Sequence, residues 1–411
     1  MSRIRADALT PKAGDDTRLL SCLRWDAVGD ARLATLDAGA WTELLSVVEA
    51  GLGQALLARR LSRSAIAPPP AVAAALGRAT KAMALRNMRG IAALARALAP
   101  FDRPVLLLKG VDIAQRVYGN LAQRRMSDID ILVHEQDAPA CHAALIAAGY
   151  TTERAPGHAT LGDRHFKEAN YLPPDRGGLP VDLHWRLTGP GFGAKLDLDG
   201  IWARSQPSRI LGPHSRVMAV EDLLLYLCDH IRHHSFDGPL TQLWDLAEIV
   251  EWAGSALDWE VFWQRAAAWH FERTVQLSFS QLERDLGVTV PGARSPAAVT
   301  ALLPTTLANL GLHPSHEGLN YRHIAIVFTA SAPLGTRLGL LLRALFPPAE
   351  EVGQWLGTAP SRWRIYAAYP RYWLAKIARR GTLIRGWLRR DPAIRGELDR
   401  IEALHAWLSA E

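Results

Sequence analysis

Cysteine is nearly absent from the sequence. The 411 residues contain only Cys22, Cys141 and Cys228, widely separated and without CxxC spacing. That excludes a disulfide framework and a cysteine-rich zinc site. The first residues carry Arg3, Arg5, Asp7 and Lys12 where a signal peptide would need an apolar stretch. No run reaches the roughly 20 apolar residues that span a bilayer. The nearest, over 324–346, is broken by Pro333, Arg337 and Arg343. A cytoplasmic protein is expected. Charge of one sign is also scarce: 47 Lys and Arg against 41 Asp and Glu leave a net +6, with no basic tail. An anionic ligand suits that balance, whereas extended nucleic-acid binding is not expected. There is no internal repeat.

What is abundant is Ala, Leu and Arg, so helix should outweigh strand. Such usage suits a bacterium with a GC-rich genome. The length suggests two or three packing units. Residues 1–17 are polar and read as frayed, and 18–98 is helical in pattern, with Pro68, Pro69 and Pro70 as a break before a helix over 71–98. The texture changes at Phe101. A buried strand is expected over 105–108, a helix over 111–118 stopped by Gly119, and a second strand over 128–133. A helix over 136–148 and strands over 166–172 and 179–185 follow, the last two joined by the turn-rich 173–178. Residues 219–290 return to helix, as does 295–411, where Pro, Arg and Trp are frequent. The expected fold class is α+β: a small mixed sheet at 101–200, embedded in a mostly helical chain divided at 1–100, 201–295 and 296–411.

Asp128-Ile129-Asp130 places two carboxylates at i and i+2 on an expected strand, and therefore on one face. Two anions a few ångströms apart repel unless a cation lies between them. Mg²⁺ (or Mn²⁺) is the natural ion, because it takes hard oxygen ligands shared with substrate phosphates. Asp182, between Val181 and Leu183 on another expected strand, completes a metal-binding triad and is the candidate general base. Lys109 and Gly110 end a strand before a helix, a place for phosphate. Arg124, four residues before Asp128 with Ser127 between, is read as pairing with phosphate or bracing the aspartates. His184 is read as a packed strand end, or as orienting Asp182 or a phosphate; Trp185 is read as packed, or as stacking on a base.

The run at 107–111 (Leu-Leu-Lys-Gly-Val), with 124–133 (Arg-Arg-Met-Ser-Asp-Ile-Asp-Ile-Leu-Val) and 181–185 (Val-Asp-Leu-His-Trp), resembles the DNA polymerase β-type nucleotidyltransferase superfamily. More narrowly, it resembles poorly characterised bacterial nucleotidyltransferase-family proteins found near peptide or polysaccharide biosynthesis genes. The resemblance is strong over about 101–188, weaker over the flanking helices, and covers little of 296–411. It implies a catalytic core at 101–200, with two metal-binding aspartates on one strand and a third on a neighbour. It also implies transfer of a nucleoside monophosphate from a nucleoside triphosphate, ATP being the expected donor, to a small-molecule, peptide or protein acceptor with loss of pyrophosphate. Lys109-Gly110-Val111 departs from the Gly-Ser or Gly-Gly that many members carry in that loop.

Two other readings stay open: a nucleotide-binding accessory or regulatory protein without turnover, and a phosphotransferase or kinase on the same scaffold. His230, His233 and His234, with Asp245 later, superficially suggest zinc, but no metalloprotease motif surrounds them, and a structural helix facing the core is the preferred reading. His230 is a candidate to line the acceptor pocket. The C-terminal Trp355, Trp363, Arg364, Arg371, Trp373, Arg379 and Arg380 read first as a solvated helical face with packed tryptophans, with weak peripheral membrane contact or peptide docking as the alternative.

Overall fold

The computed structural model describes residues 21–51, 53–152, 156, 167–175, 177–187, 196–293, 303, 338, 342, 346, 352, 367, 369–374 and 392–408. The expected frayed start at 1–17, Phe166, most of 295–391, and Trp355, Trp363, Arg364, Arg379 and Arg380 lie outside the described residues. The chain divides into two compact units, Met1–Leu312 and His313–Glu411.

Among the described residues, a short 3-10 turn (Ser21–Leu23) precedes the helices α1 (Ala27–Ala34), α2 (Ala38–Gly51), α3 (Gln54–Ser62) and α4 (Pro70–Leu98). Pro70 sits in the first turn of α4, where its missing N–H has no partner to lose. Strand β1 (Val105–Leu107) runs into Lys109-Gly110 and a short helical turn that winds as a π-helix over Ile113–Val117. Then come β2 (Ile129–Leu132), α5 (Ala138–Ala147), β3 (Glu168–Tyr171), β4 (Val181–His184), α6 (Leu198–Arg204), β5 (Gln206–Pro207) and β6 (Ser215–Val217). The described helices that follow are α7 (Val220–His233), α8 (Leu240–Ala253), α9 (Trp259–Ala268) and α10 (Glu272–Leu286).

The strands form one mixed sheet of order β3-β4-β2-β1-β6-β5. β2 is parallel to β4, β1 is antiparallel to β2 and parallel to β6, and β3 is antiparallel to β4. The fold is thus α+β, a mixed sheet in a mostly helical chain. The hairpin β5–β6 and helix α6 had no counterpart in the sequence reading. Their segments are short and broken by Pro207, Gly212 and Pro213, so they carry too little periodicity to stand out from loop.

One face of the sheet is apolar. Ile129, Ile131, Val133, Val181, Leu183, Ala169 and Tyr171 pack against Ile91, Leu94 and Leu98 of α4 and against Cys141 and Leu145 of α5. Full burial of each large side chain contributes about 1.5–3 kcal/mol. Because strand side chains alternate, the opposite face carries Asp130, Asp182 and His184. The helix α4 comes close to the chain leading into β4 at Gly90, where an added Cβ would lie 2.7 Å from Leu179 Cγ and Cδ1.

The three cysteines are free and buried. Among the described residues, no helix is long and apolar enough to cross a membrane. In the second unit, α11 (Pro392–Leu408) is the long described helix. Val352 and Tyr372 form a small core with Tyr369 and Trp373, so Trp373 packs as expected while Arg371 is exposed.

Gly90→Ala is expected to destabilise the fold by about 1–3 kcal/mol, as overpacking in a filled core does. A urea unfolding midpoint unchanged from the parent would show that α4 does not rest on Leu179 this closely.

Candidate metal centre

The site is produced by strand register. In the parallel pair, Asp130 lies beside Asp182 and Leu132 beside His184. In the antiparallel pair, Asn170 lies beside Asp182 and Glu168 beside His184. Three adjacent strands therefore present Asn170, Asp182 and Asp130 in one row, with Glu168 and His184 in the next. Ligand atoms of Asp130, Asp182 and His184 all lie within 4.8 Å of one another.

Each member has a distinct set of partners. Asp130 is almost fully buried, and its Oδ1 lies 3.3 Å from both Lys109 Nζ and His184 Nε2. Its Oδ2 is buried with no hydrogen-bond partner. Asn170 Nδ2 donates to Asp182 Oδ1 at 2.6 Å. His184 Nδ1 is 3.0 Å from Glu168 Oε2, close enough for an ionic contact but not aligned as a hydrogen bond.

The electrostatics report unbalanced negative charge. Burial would raise the Asp130 pKa, but Lys109 and His184 outweigh it and hold the carboxyl at about 2. Burial pushes Asp182 up to about 6; its Asn170 hydrogen bond opposes that, and the charges of Asp130 and Asp128 add to it. Asp128 is raised too, by burial first and Asp130 second. One carboxylate is thus held ionised while two are pushed toward protonation, the pattern of a like-charge cluster short of cations. A buried carboxylate oxygen with no partner is costly unless something satisfies it. Two carboxylates and an imidazole are a donor set that fits a divalent ion.

Asp130 and Asp182 come together, and His184 joins them more closely than Asp128 does. Asp128 precedes the paired part of β2, is only half-buried, and accepts a hydrogen bond from Ser127 Oγ at 3.0 Å. It reaches the pair through charge. Lys109 stands at the site, its Nζ between Asp130 Oδ1 and His230 Nε2, at 3.3 and 3.4 Å. Gly110 turns the chain with φ +56°, a conformation that favours glycine.

Arg124 and Trp185 have other employment. The Arg124 guanidinium forms a two-pronged pair with Asp245, Nε to Oδ1 at 2.9 Å and Nη2 to Oδ2 at 2.6 Å. Tyr118 Oη donates to the same carboxylate at 3.0 Å. Arg124 therefore braces Asp245 with Nε and Nη2, while its Nη1 lies near the Gly110 turn. Trp185 corrects the base-stacking reading: it is 1% exposed, within the apolar cluster on the other side of the sheet. A base has no access to it there.

Four residues at the site were missed or only glimpsed in the sequence. Glu168 and Asn170 are placed by the β3–β4 register, which the 173–178 turn sets but does not reveal. Tyr226 and His230 come from α7. Burial first, and then the charges of Asp130 and Asp229, push Tyr226 far up; burial, with Lys109 next, keeps His230 neutral. Their i, i+4 spacing is a face signal that was available. Asp245 pairs with Arg124 instead of joining the histidines, and among the described residues no zinc-like cluster forms from them.

A family model described as an uncharacterised nucleotidyltransferase matches residues 37–286, more than half of the chain, and the chain belongs to that family. Neither the curated proteins nor the solved structures include a significant match.

Removing Arg124 while keeping Asp245 should cost about 3–5 kcal/mol, because it strands a buried carboxylate. Arg124→Met measured by urea unfolding tests this. Most of the loss should return in Arg124→Met with Asp245→Leu, where neither charge remains; a double variant no better than the single would refute the brace.

Proposed function

We propose that this member of the uncharacterised nucleotidyltransferase family moves a nucleoside monophosphate from a nucleoside triphosphate to an acceptor hydroxyl or phosphate, with pyrophosphate leaving. The observation that carries the proposal is the pairing of Asp130 with Asp182 in register on adjacent strands, with Asp130 Oδ2 buried and unpartnered.

In this reading Asp130, Asp182 and His184 would hold a divalent ion, with Asp128 at its margin. A divalent ion held there would supply charge neutralisation for the nucleotidyl group in transfer. An imidazole in the donor set suits Mn²⁺ better than Mg²⁺, which prefers oxygen alone. Asp130 is the ligand already ionised in the empty site, where, despite burial, Lys109 and His184 hold its carboxyl at about 2. Asp182 completes the site beside Asp130 and is the carboxylate proposed to take a proton from an acceptor hydroxyl. Lys109 and the turn at Gly110 face the triphosphate, with Ser127 holding Asp128 in place. Arg124 contributes by locking the loop before Asp128 to α8. Tyr226 and His230 border the acceptor side, where a small molecule or a peptide side chain would enter. ATP is the proposed donor, and the reaction is placed in the cytoplasm, where nucleoside triphosphates are made.

The test incubates the full chain with Mg²⁺ or Mn²⁺ and each of the four ribonucleoside triphosphates, adding a cell extract as acceptor source. Mass spectrometry then reads the nucleotide products. Pyrophosphate release is expected, falling by a factor on the order of 10³ in Asp130→Asn. A nucleoside diphosphate product would identify a phosphotransferase instead, and turnover undiminished in Asp130→Asn would sink the site assignment.

A further inference from the structure

Lys109 stands where the metal reading needs an explanation of its own. Its ammonium contacts the same carboxylate that a divalent ion would need. The contact is one-sided: Lys109 and His184 both approach Asp130 Oδ1, while Oδ2 has no partner. On its other side, Lys109 Nζ lies 3.4 Å from His230 Nε2. The lysine side chain is 16% exposed, so it is neither free in solvent nor sealed in.

Three observations suit an exchangeable contact. An ammonium at 3.3 Å is at the long end of a charge-assisted hydrogen bond, where a tight pair would be 2.7–2.9 Å. Burial keeps His230 neutral, so its ring nitrogen can accept from the ammonium. Lysine carries a point charge on a flexible four-carbon stem, able to change partner without moving the backbone. An ammonium and a dication on one carboxylate repel one another strongly at this depth.

We infer that Lys109 is a displaceable counterion: it neutralises Asp130 in the empty site, yields that carboxylate to a divalent ion, and turns past His230 onto the phosphate oxygens of the nucleotide. Cation and nucleotide then bind together more tightly than either binds alone, because the nucleotide supplies the anion that the displaced ammonium needs. This inference rests on the metal-centre reading above.

The experiment is calorimetric titration of Mn²⁺ alone into the full chain, with no nucleotide and no turnover. Lys109→Met should bind Mn²⁺ at least about tenfold more tightly than the parent, because a competing charge is gone. Lys109→Gln, which keeps a polar head, should shift the same way and replaces the Met variant if that one does not fold. His230→Phe should weaken Mn²⁺ binding in the parent, by leaving Lys109 with Asp130 alone. It should do nothing in the Lys109→Met background. Equal or weaker binding in both Lys109 variants would overturn the counterion role while leaving the metal centre standing. Mn²⁺ binding that survives unchanged in Asp130→Asn would overturn the metal centre itself, and this inference with it.

Discussion

Two carboxylates on neighbouring parallel strands, Asp130 and Asp182, sit side by side in a largely buried place, and much of the molecule answers to that pairing. Like charges so close raise the energy of the fold unless something of opposite sign is near. Part of the compensation is built in: Lys109 and His184 at Asp130, and the Asn170 amide at Asp182. The register itself is protected from the other side of the sheet. A slip of β2 by one residue would turn Asp130 into the apolar cluster that holds Leu183, and expose Ile129 and Ile131 instead.

The helical regions, which look inert in sequence, hold the chain that leads into this pair. Arg86 Nη1 of α4 donates to the Met126 carbonyl at 2.7 Å, and the buried Asn87 amide donates to the carbonyls of Leu121 and Arg124. Arg59 of α3 pairs with Glu248 of α8 and also reaches Gln123. Glu248 takes a further ion pair from Arg63 and the indole N–H of Trp244. Asp245, three residues earlier on α8, receives Arg124 and Tyr118. Buried ion pairs add little net stability, but breaking one is expensive, so they restrict where a segment can sit. The loop before Asp128 is thus fixed from three helices, and the position of the carboxylates inherits that rigidity.

Much of this was legible beforehand, for identifiable reasons. The strands at 105–107, 129–132 and 181–184 appear as short apolar runs bounded by turn residues, and each was expected within a residue or two. Asp128, Asp130 and Asp182 stood out because charge inside an apolar run is rare unless it has work to do. The alternation of strand side chains also carried information that went unused: Trp185 shares the face of Leu183, not that of Asp182. The β5–β6 hairpin was hidden by its brevity. Asn170 and Glu168 were hidden because the residue types at 173–178 announce a turn without fixing the register of the strands it joins.

The sequence by itself determined the fold class, the strands that carry the carboxylates, and the acidic residues around which the site is built. These are local properties, written in periodicity and in the cost of burying charge. Only the tertiary structure decided which groups meet. It put His184 beside Asp130 and Asp182, moved Asp128 to the margin, gave Arg124 to Asp245, and brought His230 from α7 to Lys109. Such pairings depend on strand register and helix placement, which follow from the packing of the whole unit and leave no trace in any single stretch of residues.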